Sequence, residues 1–192
     1  MKPLVLLYGP PAAGKRTLGH ELVRRTALSL VENQLTVRLA RQFFESGTDA
    51  CFAFSAALRR VVLEHLAQSD AHSGVVLTYC YWGTSNDFLR FVDRHFAVFP
   101  IRLLCPFDEL RRRVESDERA ALGKIASIAK LEELRRNVDL DAVIPQTRLV
   151  VDTSKESVRS CADRVLRLLA MGGRGTGSHQ ASTNDPLATT PG

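Results

Sequence analysis

Short apolar runs alternate along this 192-residue chain with longer segments whose hydrophobic positions recur at helical spacing. The runs predict five strands, at Leu4 to Tyr8, Leu28 to Val31, Val75 to Cys80, Val98 to Leu104 and Arg148 to Val151. Strands that alternate with helices are typical of a parallel sheet covered by helices on both faces. Ligands bind such sheets at the carboxyl ends of the strands. We therefore expect a three-layer α/β fold, a five-stranded parallel sheet with its site at that edge.

The composition changes near the carboxyl end of the chain. Residues 171–192 are dominated by Gly, Thr, Ser and Pro and contain few apolar side chains. Such a segment buries too little surface to offset the entropy lost on ordering it. We therefore predict one domain over residues 1–170, long enough to bury its own core, and a disordered tail over residues 171–192.

The chain is basic, with a formal net charge of +5 and a pI of about 9.3. It has 21 Arg against 5 Lys, and six of the arginines fall between Arg111 and Arg136. Such an excess suits a nucleic-acid surface, and it equally suits an enzyme that handles phosphorylated, anionic substrates. Charge alone leaves both classes open.

Neither a membrane protein nor a disulfide-stapled domain fits the sequence. The longest apolar stretches are far shorter than the ~18 residues of a membrane span. Cys51, Cys80, Cys105 and Cys161 are widely spaced without a C-x-x-C pair, so we expect reduced thiols and no zinc site. The apolar start is too short for a secretion signal, and cleavage would destroy the motif that follows it. We expect a cytoplasmic protein with no membrane partner.

A phosphate-binding motif follows the first predicted strand. It is the run Gly9-Pro10-Pro11-Ala12-Ala13-Gly14-Lys15-Arg16-Thr17, which matches G-x-x-x-x-G-K with a hydroxyl residue two positions after the lysine. Glycines allow close approach of the backbone, and successive N–H groups at a helix start then point at phosphates. Lys15 supplies a charge to the terminal phosphates, and Thr17 reaches phosphate or Mg²⁺. A simple Gly/Pro turn is the alternative; the ordered strand, loop, lysine, hydroxyl and helix favour a site for ATP and Mg²⁺.

This motif, at the start of a chain of this length, resembles that of the nucleoside monophosphate kinase and shikimate kinase group of P-loop proteins. Its residues are similar to those of the same motif in bacterial AAA-type ATPases labelled shikimate kinase-like. The resemblance continues at Val31-Glu32-Asn33-Gln34-Leu35, Arg112-Arg113-Val114-Glu115, Gly123-Lys124 and Val151-Asp152-Thr153. It implies a P-loop NTPase fold with a small lid, at about residues 115–130, which we name the lid segment.

The resemblance implies an acidic residue at the end of the second strand, where related kinases commonly place an aspartate that binds Mg²⁺ and the acceptor. Glu32 is the carboxylate nearest that position, and Asn33 follows it. The alternative is that Asn33 caps the next helix and Glu32 is solvated. Asp49 is a second candidate for orienting the acceptor hydroxyl, although its place before a long helix also suits an N-cap. The third strand ends without an acid, so Mg²⁺ is expected on the loop threonine, the phosphates and water.

Arg119 and Lys124 are the predicted lid cations, since a closing lid brings charge over the phosphates and excludes water. The resemblance also implies that Arg112 stacks on adenine and that the loop at Asp152 and Thr153 contacts the adenine edge. A surface helix stabilised by ion pairs is the alternative for the helical part of the lid.

An acceptor pocket is predicted beside the phosphate loop. Related kinases often place a substrate-holding arginine on the helix that carries Arg59 and Arg60, and arginine suits an anionic acceptor through paired hydrogen bonds. A solvated helix face is the alternative. Tyr79, Tyr81 and Trp82 follow the third strand, where they either wall the pocket or pack in the core.

The preferred hypothesis is an ATP-dependent phosphotransferase acting on a hydroxyl of a small-molecule acceptor, with Lys15 and the lid cations stabilising the transition state. A polynucleotide-end kinase is one alternative, which predicts basic and aromatic residues interleaved along a groove. A nucleotide-binding regulatory module without phosphotransfer is the other, favoured by the missing acids. Nucleic acid is therefore the less favoured partner, and a monomer is the default for this fold.

Overall fold

Five parallel strands form one sheet in the computed structural model, which describes residues 1–83, 86–115 and 117–172. The strands are β1 (Pro3–Tyr8), β2 (Ser29–Glu32), β3 (Val75–Tyr79), β4 (Ala97–Leu104) and β5 (Leu149–Asp152). Their order across the sheet is β2-β3-β1-β4-β5, and all four neighbouring pairs are parallel. All five predicted strands are present, with each end within one residue of its predicted position.

Helices cover both faces of this sheet. In the described residues they are α1 (Lys15–Arg24), α2 (Asn33–Ala40), α3 (Asp49–Gln68), α4 (Asn86–His95), α5 (Phe107–Val114), α6 (Asp117–Ala121), α7 (Ile128–Asn137) and α8 (Val158–Gly172). Helices α3 and α4 pack against one face, and α1 and α8 pack against the other.

The central strand β1 belongs to both halves of the core. Leu4, Leu6 and Tyr8 pack in the apolar cluster that includes α3 and α4. Val5 and Leu7 pack in the cluster that includes α1 and α8. Because alternate residues of a strand point to opposite faces, a continuous apolar run buries both. The predicted three-layer α/β class is confirmed.

The carboxyl ends of the strands meet at one edge of the sheet, as parallel pairing requires. The phosphate-loop motif follows β1, Glu32 ends β2, Cys80 follows β3 and Thr153 follows β5. Four stretches that are distant in the sequence are therefore neighbours at this edge.

Helix α8 includes the first two residues of the predicted tail, Met171 and Gly172. Gly172 lies against β4 so closely that a Cβ would stand 2.7 Å from the Cε1 atom of Phe99. Helix α8 therefore continues two residues past the predicted boundary, and its end contacts the sheet. Residues 173–192 of the predicted tail lie outside the described residues.

All four cysteines are free thiols. Cys51 and Cys161 are buried, whereas Cys80 and Cys105 are half-buried. Among the helices of the described ranges, none has the length and apolar character needed to cross a membrane.

Candidate active site

The loop after β1 makes the tight turn that a phosphate-binding loop requires before α1. Gly9 and Gly14 have φ angles of 142° and 83°, which favour glycine. A Cβ on Gly9 would lie 2.5 Å from the carbonyl oxygen of Leu103, so the loop runs directly against β4. Ala12 also has a positive φ, 66°, which a residue with a Cβ adopts at a cost. The motif predicts the unusual backbone conformation of Gly9 and Gly14 but not the positive φ of Ala12.

Lys15, the first residue of α1, is fixed between the loop and the end of β3. Its Nζ donates hydrogen bonds to the carbonyl oxygens of Gly9 and Pro10, both at 2.6 Å. It also makes a side-chain hydrogen bond with Cys80. Burial lowers the pKa of Lys15; the Cys80 thiol opposes this change, and the charge of Arg119 adds to it. The loop lysine and a lid cation therefore lie close enough to interact electrostatically.

Glu32 is contacted from three directions at the end of β2. The Nε of Arg16 donates to both carboxylate oxygens at 3.0 Å. The Nε2 of His20 lies 3.4 Å from Oε1, and the Nζ of Lys124 lies 3.8 Å from Oε2. The Glu32 side chain is 17% exposed, and α2 begins at Asn33 itself. The alternative of a solvated Glu32 beside a capping Asn33 is therefore wrong.

The lid segment is attached to α2. The carbonyl oxygen of Gly123, whose φ is 63°, accepts hydrogen bonds from Gln34 Nε2 at 2.9 Å and from Arg41 Nη1 at 2.6 Å. Within the segment, Arg119 donates through Nε and Nη2 to the carbonyl oxygen of Ile125 at 3.0 and 2.8 Å. The bonds to Gly123 thus tie the segment to both ends of α2, and the bonds of Arg119 stabilise the segment internally.

Arg113 lines the cavity, whereas Arg112 does not. The Nε of Arg113 donates to Glu109 Oε1 at 2.6 Å, and its Nη1 and Nη2 donate to Thr153 Oγ1 at 3.2 Å and to the Thr153 carbonyl oxygen at 2.9 Å. The Arg112 side chain is 77% exposed and pairs with Glu109 outside the cavity. Successive helical residues point about 100° apart, so only one of two adjacent arginines faces the loop after β5.

A buried arginine lies on the acceptor side of the site. Arg59 of α3 is 8% exposed. Its Nη2 donates to Ser55 Oγ at 3.4 Å, and its guanidinium lies 5.6 Å from the ring centroids of Tyr79 and Phe88. Among the described residues its Nε is the buried side-chain atom that lacks a hydrogen-bond partner. Burial lowers the pKa of this guanidinium, which stays protonated. A buried cation of this kind is costly unless an anion binds beside it.

A cavity of about 1030 Å³ joins the phosphate loop to Arg59. Tyr79 and Trp82 line it, as does Phe52 of α3, which is 60% exposed. Tyr81 instead packs in the core, with its ring edge-to-face against Tyr8 at a centroid distance of 6.1 Å. The aromatic residues after β3 therefore divide between the cavity and the core, and both alternatives hold for part of the set.

Several known proteins share this architecture. No protein-family model matches the chain. A shikimate kinase from Corynebacterium efficiens is 34% identical over 79 residues; the match covers 39% of this chain and 44% of that protein, so it spans less than half of the curated relative. A solved sugar kinase from Janibacter sp. HTCC2649 has a TM-score of 0.64 at 18% identity, with 93% of this chain and 100% of that chain covered. A shikimate kinase from Acinetobacter baumannii in complex with shikimate has a TM-score of 0.58 at 19% identity, with 90% and 95% covered. The chain has the fold of a shikimate kinase-like P-loop kinase.

Most of the residues predicted for the nucleotide site line the cavity of this shikimate kinase-like fold. They are Pro11, Ala12, Ala13, Gly14, Lys15, Arg16, Thr17, Glu32, Arg119, Lys124 and Thr153. Gly9 and Pro10 serve as acceptors for the lysine. Asp152 is turned toward Ser154, whose hydrogen bonds lower the pKa of that carboxyl. The loop after β5 thus presents Thr153, rather than its aspartate, to the cavity.

Two further predicted residues, besides Arg112 and Asp152, lie outside the cavity. Asp49 is the exposed first residue of α3, and Thr48 is the N-cap, with its side chain accepting from the Cys51 N–H. Arg60 stacks on Phe91 at 4.9 Å rather than reaching the cavity. In this P-loop kinase fold, Glu32 is therefore the predicted carboxylate that reaches the phosphate loop.

Sequence reasoning does not single out Arg113, Phe52 or Cys80 as site residues. The spacing of Glu109 and Arg113, four residues apart on one helix, is a visible signal for the first. An apolar residue at the start of a long helix gives no such signal for Phe52. The sequence predicts Cys80 as the end of a buried strand. Its position in the cavity becomes apparent only when the order of the strands in the sheet is known.

Proposed function

We propose that this chain is an ATP-dependent phosphotransferase that transfers the γ-phosphoryl group of Mg-ATP to a hydroxyl group of a small, anionic molecule. The observation that carries the proposal is the cavity, which has the phosphate loop at one end and the buried Arg59 at the other; among the described residues the Nε of Arg59 has no hydrogen-bond partner. Transfer to an acceptor requires both reactants in one enclosed space from which water is largely excluded.

The nucleotide end supplies backbone N–H groups and cations. Lys15 lies under the phosphate loop, and Arg119 and Lys124 reach the same cavity from the lid segment. Phosphoryl transfer passes through a loose transition state whose negative charge is spread over the transferring group. Positioned cations stabilise that charge most strongly where water is excluded. Thr153, held by Arg113, would contact the adenine edge, the role that the resemblance implies for this loop.

The residues present fit a magnesium ion. Thr17, in the first turn of α1, lines the cavity beside the phosphate loop, and its hydroxyl is an oxygen ligand of the kind that Mg²⁺ accepts. Mg²⁺ accepts a few protein oxygens together with phosphate and water oxygens. When bound, the ion neutralises charge between the β- and γ-phosphates.

The acceptor end combines a cation with flat apolar walls. Arg59 offers paired N–H donors to a carboxylate or phosphate, the geometry in which guanidinium recognises anions. Tyr79, Trp82 and Phe52 provide apolar surface for the carbon skeleton. Glu32 is occupied by Arg16 and by the lid, so its role is to position cations rather than to accept a proton. Phosphoryl transfer tolerates this, because it depends chiefly on positioning and charge.

A nucleotide-binding module without phosphotransfer is the second candidate. It is supported by the two carboxylates predicted to orient the acceptor hydroxyl, because neither is available for that role. Glu32 is paired with Arg16, and Asp49 lies outside the cavity. Such a module binds Mg-ATP with the same loop but shows no turnover that depends on an acceptor.

The test is ADP release from the purified chain with Mg-ATP and pairs of hydroxyl compounds that differ in one carboxylate or phosphate group. We expect one anionic member to raise the rate well above the ATP-only background and its neutral twin to fail. Lys15→Ala should abolish the stimulated rate. ATP binding without stimulation by any compound of the panel would favour the second candidate.

A further inference from the structure

Cys80 lies where the two ends of the cavity meet. It follows β3 directly, is half-buried and lines the cavity together with Lys15 and Arg59. The proposed phosphoryl transfer assigns it no task. It is nevertheless the thiol that lies between the phosphate loop and the acceptor end.

Lys15 holds this thiol from one side. An ammonium group has three N–H donors. Two of those on Lys15 are taken by the carbonyl oxygens of Gly9 and Pro10 at 2.6 Å, and the Cys80 sulfur is a further partner. Reactive cysteines lie in partly exposed, electropositive surroundings, and Lys15 supplies positive charge beside this half-buried thiol.

Arg59 approaches the thiol from the acceptor side. Its charge interacts with Cys80, and its Nε has no hydrogen-bond partner among the described residues although the side chain is 8% exposed. A carboxylate brought next to the Cys80 sulfur would lie in the same cavity as this buried cation, which would attract it. The two cations therefore favour a negatively charged reagent at Cys80.

We propose that Cys80 is a modification site, at which the thiol forms a mixed disulfide with a small disulfide compound that carries carboxylates. The thiol proton passes to solvent, and the Cys80 thiolate attacks one sulfur of the compound. A new S–S bond forms as the old one breaks, and the departing thiolate keeps the electron pair and takes up a proton. Cys80 is oxidised, and the released half of the compound is reduced.

The other three cysteines are poorer targets. Cys51 and Cys161 are only 2% and 1% exposed. Cys105 is half-buried like Cys80, but burial raises the pKa of its thiol, which disfavours the thiolate. The chain therefore contains its own comparison set for the reactivity of Cys80.

A substituent on Cys80 would stand between the phosphate loop and Arg59. It would block the passage of a phosphoryl group to an acceptor, a consequence that rests on the proposed function, whereas the modification itself does not. A bound nucleotide competes with the thiol for Lys15, since the loop lysine is needed at the phosphates. Nucleotide should therefore slow the modification.

The experiment treats the full chain with oxidised glutathione, which is negatively charged, and in parallel with the neutral disulfide of 2-mercaptoethanol. Intact mass and peptide mapping follow the adduct at each cysteine over time, so no kinase activity is needed. We expect Cys80 to react about 10-fold or more faster than Cys51, Cys105 and Cys161. Mg-ATP should slow that reaction, and a thiol reductant should reverse it.

Two variants isolate the cause. Cys80→Ser should lose the fast adduct while the three slower cysteines react as before. Arg59→Met should slow the reaction with the anionic disulfide more than the reaction with the neutral one. Equal rates at all four cysteines, a fast adduct at Cys105, or a rate that Mg-ATP leaves unchanged would each overturn the proposal.

Discussion

The Nζ of Lys124 lies 3.8 Å from Oε2 of Glu32, and both side chains are only 17% exposed. This contact joins the lid segment to the end of β2. The same carboxylate binds Arg16 of α1 through both oxygens. One acidic side chain therefore connects the phosphate-loop helix, the sheet edge and the lid.

Lys124→Gln removes a cation from the lid side of the cavity and leaves Glu32 with its bonds to Arg16. We expect acceptor-dependent ADP release to fall about 100-fold, because a charge aimed at the transferring phosphoryl group is lost. Steady-state kinetics measures the effect. Arg90→Gln, which breaks an exposed pair with Asp87 on α4, is the matched control and should leave the rate unchanged. Equal rates for both variants would remove Lys124 from the machinery.

Arg59→Met tests the acceptor end. The KM for an anionic acceptor should rise about 10- to 100-fold, the loss of a hydrogen bond to a charged group, while the KM for ATP changes little. The free energy of unfolding should hold or increase, because a buried cation that makes no ion pair with a carboxylate of the described residues is replaced by an apolar chain. Arg60→Met, one residue along and outside the cavity, is the control. A large loss of stability in Arg59→Met would contradict this account.

Gly9→Ala should destabilise the fold by about 3 kcal/mol and abolish nucleotide binding. The φ of 142° strains any residue with a Cβ, and that Cβ would lie 2.5 Å from the Leu103 carbonyl oxygen. Gly47→Ala separates the two terms, since Gly47 has a φ of 90° but no atom within 4 Å of the added carbon. It should cost only about 1 kcal/mol. Urea unfolding of both variants measures the difference, and similar losses would refute the packing argument.

Burial lowers the pKa of Lys15 below its usual value of 10.5. Between the lowered pKa and 10.5 the unfolded chain holds more protons than the folded chain, so the free energy of unfolding rises with pH in this window. Lys15→Met has no such group and lacks that rise. Urea unfolding is measured at increasing alkaline pH, with Cys80→Ser in both chains so that this thiol does not titrate. The free energy of unfolding of the chain with Lys15, relative to that of Lys15→Met, should rise with pH. A pH-independent difference would contradict the direction of the shift.

The strands and the phosphate loop are predictable because local rules determine them. Strand β1 is an unbroken apolar run, and Gly9, Gly14 and Lys15 occur at fixed spacing. The choice between Arg112 and Arg113 depends instead on how α5 is rotated against the sheet, which neighbouring residues do not encode. Which of Arg59 and Arg60 faces the cavity likewise depends on how α3 is rotated against the sheet.

The roles of the acids depend on long-range placement. Glu32 is separated by 16 residues from Arg16 and reaches it only because β2 lies beside β3 in the sheet. Asp49 looks equivalent to Glu32 in the sequence, yet α3 begins away from the loop. Pairing of this kind follows from strand order, which apolar periodicity does not provide.

The strand order also gives the phosphate loop and the acceptor end different support. Strand β1 has a neighbour on each side, whereas β2 is an edge strand bonded only to β3. The phosphate loop is therefore anchored in the segment whose amide protons should exchange most slowly, near the limit set by global unfolding. The acceptor end depends on β2 and the helices α2 and α3 that follow it, whose exchange should be faster. An acceptor would then enter by a local opening of that edge, while the phosphate loop keeps its shape.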